Sequence, residues 1–246
     1  MDPTFVIAAA FFVVAILYAS VGHAGASGYL ATMALLGVVP ETLRPTALAL
    51  NVLSAAIVTA RFAHAGLVPW RALLPFAAGS IPLAYIGGGI ELPGAVYRPL
   101  LGVVLVVAAW RLATTARSAL DDTAPVRAPV VASVVIGGAI GLLSGLVGTG
   151  GGIFLSPIVL FLGWASTRRT SGLAAGFILA TSAAGLAGNV AAVQSIPDAI
   201  PLWAAAVAIG ALLGTEIGTA RAGAPTLRRL LAVILVVAAL KFILIG

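Results

Sequence analysis

Few side chains in this chain of 246 residues can do chemistry, and they gather around two glycine clusters. In residues 145–157, GLVGTGGGIFLSP, Thr149 stands among Gly148, Gly150, Gly151 and Gly152, with Ser144 and Ser156 one to two turns to either side. Each glycine inside a helix costs about 1 kcal/mol relative to alanine, so a helix stops here and restarts near Ile153. The restart leaves free N–H groups and the positive end of a helix dipole, which together hold an anion without any Lys or Arg. Residues 21–37, VGHAGASGYLATMALLG, repeat the pattern with His23, Gly25 and Ser27 at the break. The two stretches align without a gap at a shift of 126 residues, which sets Gly22 on Gly148, Gly25 on Gly151 and Gly37 on Gly163. The expected substrate-binding set is His23, Gly25, Ser27, Asn51, Thr149, Gly150, Gly151 and Gly152. The competing reading is that the glycines only let helices pack closely.

His23 is the one ionisable side chain within either break. An imidazole titrates near neutrality, so donation to an anion, carriage of a coupling proton and plain structural hydrogen bonding are all open to it. Its mate in the second copy is Thr149, which makes the site asymmetric. Asn51, in RPTALALN, brings an amide one helix away from the first break; its mate is Phe177, with the hydroxyls of Thr181 and Ser182 about a turn further on. Arg44, after Glu41 and before Pro45, reads as a gate, an anion-attracting charge or a snorkelling interfacial arginine. Glu216 reads as a coupling carboxylate, since an intramembrane acid is functional by default, or as half of an interfacial ion pair with Arg221. The string GxGGG is no dinucleotide loop, because that fingerprint needs a preceding strand and an acidic residue about 20 positions on. No metal site and no cofactor are expected. Neither HExxH nor GxSxG occurs, which argues against a membrane hydrolase, and the missing GxxxxGK[ST] points to a gradient rather than ATP as the energy source.

The elements that must position these residues are membrane helices. With 61% hydrophobic and 8% charged residues, the chain is far from the roughly 25% charged composition of soluble domains. It reads as a polytopic membrane protein. The absence of cysteine rules out disulfides and thiolate chemistry. A net charge of +6 reflects Lys and Arg placed by the positive-inside rule rather than nucleic-acid binding. Met1-Asp2-Pro3 lacks the basic start of a cleavable signal, so none is expected.

Apolar runs give five segments in each half: 4–21, 25–39, 45–60, 70–89 and 97–113, then 130–147, 151–163, 170–193, 201–220 and 227–245. Residues 97–109 also match 227–239, with nine of thirteen positions identical, so the chain is an internal duplication. The expected domains are a first repeat, 1–113, a polar cytoplasmic linker, 114–129, and a second repeat, 130–246. An odd count per half puts ten of the thirteen Lys and Arg on one side; fusing the first two segments of each half splits them six to seven. The odd count therefore stands, with the Arg-rich side cytoplasmic and both termini periplasmic. Odd parity makes the repeats inverted, and broken helices in corresponding places of two repeats point to a binding site near the bilayer midplane. Glycines at spacing four (Gly137, Gly141, Gly145; Gly210, Gly214, Gly218) serve close packing within the chain or a homodimer face. The fold class is thus an all-α polytopic membrane protein of about ten helical segments in two inverted five-segment repeats.

At these residues the sequence resembles the TauE/SafE family of sulfite exporters and related anion permeases. The resemblance is carried by SGLVGTGGGIFLSPIVLFLG, its copy SVGHAGASGYLATMALLG, the following RPTALALN, and the two-fold repetition over essentially the whole chain. It implies a bacterial inner-membrane permease for a small sulfur-containing or organic anion, such as sulfite or a sulfonate, with no ATPase domain. The first copy departs from the glycine-rich pattern at His23, Ala24, Ala26 and Ser27. The expected function is secondary transport of such an anion by alternating access, as an exporter; a passive anion channel and a permease for a different small anion are the alternatives.

Overall fold

The computed structural model describes residues 2–113, 126–220 and 236. Among them the chain is helical: α1 Pro3–Ala19, α2 Ala26–Leu35, α3 Pro40–His64, α4 Trp70–Gly89, α5 Gly94–Ala113, α6 Val130–Val147, α7 Gly152–Phe161, α8 Thr167–Gly188 and α9 Ile200–Ala220, with a 3-10 turn at Val190–Ser195. The expected tenth segment, 227–245, lies outside the described residues, as do linker residues 114–125 and Arg117, Arg221, Arg228, Arg229 and Lys241. Five of the described helices, α3, α4, α6, α8 and α9, are long and apolar enough to cross a membrane. Large apolar side chains such as Leu74, Val131 and Phe161 point outward and exposed, as a lipid-facing surface requires.

Most helix limits follow the local chemistry. The Asp2 side chain accepts from the Thr4 N–H at 2.9 Å and Pro3 occupies the first helical position, so α1 starts there. Several limits differ from the sequence reading: α2 ends at Leu35 rather than 39, α3 ends at His64 rather than 60, and α5 starts at Gly94 rather than 97. Pro40 rather than Pro45 starts α3, and Pro45 is carried inside the helix. α8 starts at Thr167, where the Ser166 hydroxyl caps the Arg169 N–H at 3.3 Å, and ends at Gly188, passing into the 3-10 turn instead of running on to 193.

The second segments are short. At 10 residues each, α2 and α7 rise about 15 Å, half of a hydrocarbon core of about 30 Å. Neither extends its predecessor; each doubles back along it. The Tyr29 ring lies 5.0 Å from Phe11, one turn of α2 against the middle of α1. In the second copy the Cβ position of Gly151 falls 2.7 Å from Ile140 and 3.6 Å from the Ser144 Cβ, well back along α6.

The glycine stripes face helices of the other half. Gly137, Gly141 and Gly145 of α6 lie directly on the backbone of Phe76, Ser80 and Ala84 of α4, with no room for a side chain. Gly210, Gly214 and Gly218 of α9 lie in the same way on Phe12, Ile16 and Ser20. The duplication converts one pair into the other: the first helix of each copy packs, parallel, on the fourth helix of the other. The stripes therefore serve packing inside the chain, where close backbone approach replaces the missing hydrophobic drive between membrane helices. The third helices cross between copies too, head to tail: Leu48 of α3 meets Gly185 of α8, Asn51 meets Ser182, and Leu67 just past α3 meets Gly172.

Candidate functional site

These cross-packed helices bring the two breaks together. In the first, α1 ends at Ala19 and the chain turns through Gly22 (φ 76°) and Gly25 (φ 101°) before α2. In the second, α6 ends on Gly148 (φ 89°) and the chain passes Gly150 (φ 73°) and Gly151 (φ 80°) before α7. These left-handed conformations are open to glycine and strained for other residues. At Gly150 the requirement is double, since a Cβ there would collide with the Asn51 amide and stand 2.7 Å from the Ser182 hydroxyl.

His23 reaches from the first break into the second. Its Nδ1 lies 3.1 Å from the Val21 carbonyl, and its Nε2 lies 3.2 Å from the Gly152 carbonyl and 3.1 Å from the Ser156 hydroxyl. A neutral ring meets this set by donating from Nδ1 to Val21 and accepting from Ser156 at Nε2; an imidazolium donates at both ends. Asn51, buried in the middle of α3, forms the second bridge. Its Oδ1 accepts from the N–H of Ala26, the first residue of α2, at 3.0 Å, and its Nδ2 donates to Ser182 at 2.8 Å. The first break is braced further by two tyrosines: Tyr18 shares a 2.8 Å hydrogen bond with Ser27, and the Tyr29 hydroxyl donates to the Ala24 carbonyl at 2.8 Å, its ring against Gly25.

The second break is differently lined. The position matching Asn51 is Phe177, which offers the start of α7 no acceptor and whose ring lies 2.9 Å from where a Cβ on Gly151 would stand. The hydroxyls of Ser144 and Thr149 are buried there without a hydrogen-bond partner. Thus all eight residues of the expected binding set, His23, Gly25, Ser27, Asn51, Thr149, Gly150, Gly151 and Gly152, lie in or against the two breaks, and four of them, His23, Asn51, Gly150 and Gly152, have bonds or close contacts that join the copies.

The two charges expected to couple or gate are both bonded within the protein. The buried guanidinium of Arg44 donates to the carbonyls of Ile90 and Gly87 at 2.8 Å each and to that of Gly88, capping the C-terminal end of α4. Its stem packs against Gly148, so it also backs the second break. Glu216 pairs with Arg61 of α3 at 2.8 Å, with both side chains substantially exposed; Arg221, its expected partner, lies outside the described residues. Sequence reasoning passed over Tyr18 and Tyr29. The available signal was that a tyrosine in an apolar helix must find a partner for its hydroxyl.

A model of the family described as "Sulfite exporter TauE/SafE" matches residues 7–242. A protein of Sinorhizobium fredii named "Probable membrane transporter protein y4hK" is 44% identical over 239 residues, covering 96% of this chain and 97% of that protein. No solved structure matches the chain.

Proposed function

The chain belongs to the sulfite exporter TauE/SafE family, as a multi-pass membrane transporter, and from that premise we propose that it exports a small anion, sulfite or a related sulfur oxyanion or organosulfonate, by alternating access. The observation that carries the reading is the meeting of two broken helices, joined through His23 and Asn51. Helix starts and hydroxyls bind an anion with neutral donors, so the anion can be released again without separating a strong ion pair. The head-to-tail crossing of α3 and α8 supports inverted repeats, since copies sharing an orientation would set these helices parallel. On this reading the breaks lie near the midplane of the bacterial inner membrane, both termini are periplasmic, and one copy rocks against the other.

Proteoliposomes loaded with sulfite test it. Efflux that saturates with concentration and is accelerated by sulfite on the opposite side supports a carrier. Efflux linear in concentration and driven by voltage alone contradicts it in favour of a channel, and no flux of sulfite, thiosulfate or sulfonate contradicts the substrate class.

A further inference from the structure

The two breaks are copies, yet the mates around them differ: Tyr18, His23 and Asn51 of the first are bonded, and Ser144 and Thr149 of the second have no partner. We propose that the transported anion seats on the second break alone, held by the first N–H groups of α7 and the hydroxyls of Ser144 and Thr149, while the first break is a fixed brace. This inference rests on the transport reading above and assigns its binding groups.

Four pairs of mates carry the argument. Where the first copy has Tyr18, the second has Ser144; for His23 it has Thr149, for Ser27 Ile153, and for Asn51 Phe177. In the first copy each of these groups is bonded within the protein: Tyr18 to Ser27, His23 to Val21, Gly152 and Ser156, and Asn51 to the Ala26 N–H, the very donor an anion at α2 would need. In the second copy a phenylalanine, Phe177, stands in place of the asparagine and offers that donor no acceptor. Ser144 is wholly buried and Thr149 is 4% exposed, and neither hydroxyl has a partner. Ser144 Cβ lies 3.6 Å from the Cβ position of Gly151, the residue that precedes α7, and Thr149 comes two residues before that glycine, so both residues belong to the helix end and turn that lead into α7. A buried hydroxyl left unpaired is costly. Two of them beside an uncapped helix start of 10 residues make a set of neutral donors that an oxyanion satisfies and that an apolar filling would not.

Sulfite-dependent thermal stabilisation of the purified protein tests the seat, with Ser144→Ala, Thr149→Val and, as a brace control, Tyr29→Phe. The half-stabilising sulfite concentration is expected to rise about tenfold or more in each hydroxyl variant, the effect of one hydrogen bond to a charged ligand, and to stay at the wild-type value in Tyr29→Phe. Without sulfite, Ser144→Ala and Thr149→Val should melt at or above wild type, because each removes an unpaired buried hydroxyl, whereas Tyr29→Phe should melt below it. Unchanged sulfite midpoints in both hydroxyl variants, beside a responsive wild type, overturn the seat and leave the transport reading standing. Loss of fold in either variant also overturns it, since the hydroxyl would then be structural. A wild type that responds to none of sulfite, sulfate, thiosulfate or chloride overturns the transport reading and the seat together.

Discussion

In the first break the polar side chains are spent on the protein: Tyr18 holds Ser27, Tyr29 holds the Ala24 carbonyl, and Asn51 caps the start of α2. In the second, Ser144 and Thr149 occupy the places of Tyr18 and His23 with no partner, and Phe177 replaces the capping amide. Much of the backbone course is shared, from the left-handed pairs Gly22/Gly148 and Gly25/Gly151 to helices of 10 residues that fold back on their predecessors, whereas left-handed Gly150 matches Ala24, which is not left-handed. Duplication thus supplied two equal openings in the helix ladder, and divergence of a few side chains turned one into a brace and left the other with donors to offer. A symmetric pair of saturated breaks would be rigid and inert. A symmetric pair of unsaturated ones would leave twice as many buried polar groups to satisfy between transport events.

The comparison is broken most severely at the contact between the two copies. Gly150→Ala places a methyl group against the Asn51 amide and Ser182 at a φ of 73°, where a non-glycine residue costs about 1–3 kcal/mol before any collision. Sulfite flux is expected to fall about a hundredfold or more in proteoliposomes. Gly37→Ala, at the same φ sign but facing open space, carries the strain without the collision and should keep its flux. Equal losses in the two variants would show that strain, not the meeting of the breaks, is what matters.

Asn51→Leu removes the cap from Ala26 and the bond to Ser182, leaving a buried N–H without an acceptor. The expected loss is about 2 kcal/mol of stability, read as a lower Tm in detergent, with flux reduced because α2 is no longer fixed. Unchanged stability would remove Asn51 from the brace.

The mildest change sharpens the role of His23, which belongs to the first break by sequence and touches the second through Gly152 and Ser156. His23→Gln keeps a donor and an acceptor but cannot bridge both carbonyls as an imidazolium does. A loss of about 1 kcal/mol in stability is expected, together with a flattened dependence of flux on pH near neutrality, where imidazole alone among ordinary side chains titrates. A pH profile identical to that of wild type would reduce His23 to a neutral strut.

The helices and both breaks were legible in the sequence because they depend on local composition. Apolar runs make the spans, and closely set glycines end α6 and start α7 almost where counting them says. The duplication was legible for the same reason, residue against residue. What the sequence did not disclose depends on partners distant along the chain. The guanidinium of Arg44 lies on carbonyls more than 40 positions away, at the end of α4. Glu216 pairs with Arg61 on another helix, which no local spacing announces. The stripe Gly137, Gly141, Gly145 announced close packing, but only the structure identifies α4 as its partner. Ser144 and Ser27 look alike as letters; one is unpaired and the other bonded because a tyrosine stands on α1 and none on α6.

The difference between the breaks is tested most directly by solvent access, and the absence of native cysteine makes a single introduced thiol an unambiguous reporter. Thr149→Cys and Ser27→Cys replace side chains that are both buried in this structure, at 4% and 1% exposure. Each variant would be exposed to a membrane-impermeant maleimide from one face at a time, in right-side-out and inverted vesicles washed free of anion. If the second break is the transport seat and access alternates, position 149 reacts from both faces and is protected by sulfate, while position 27 reacts from neither. Labelling of position 27 as fast as position 149, or no labelling of 149 from either face in transport-competent protein, would contradict the account.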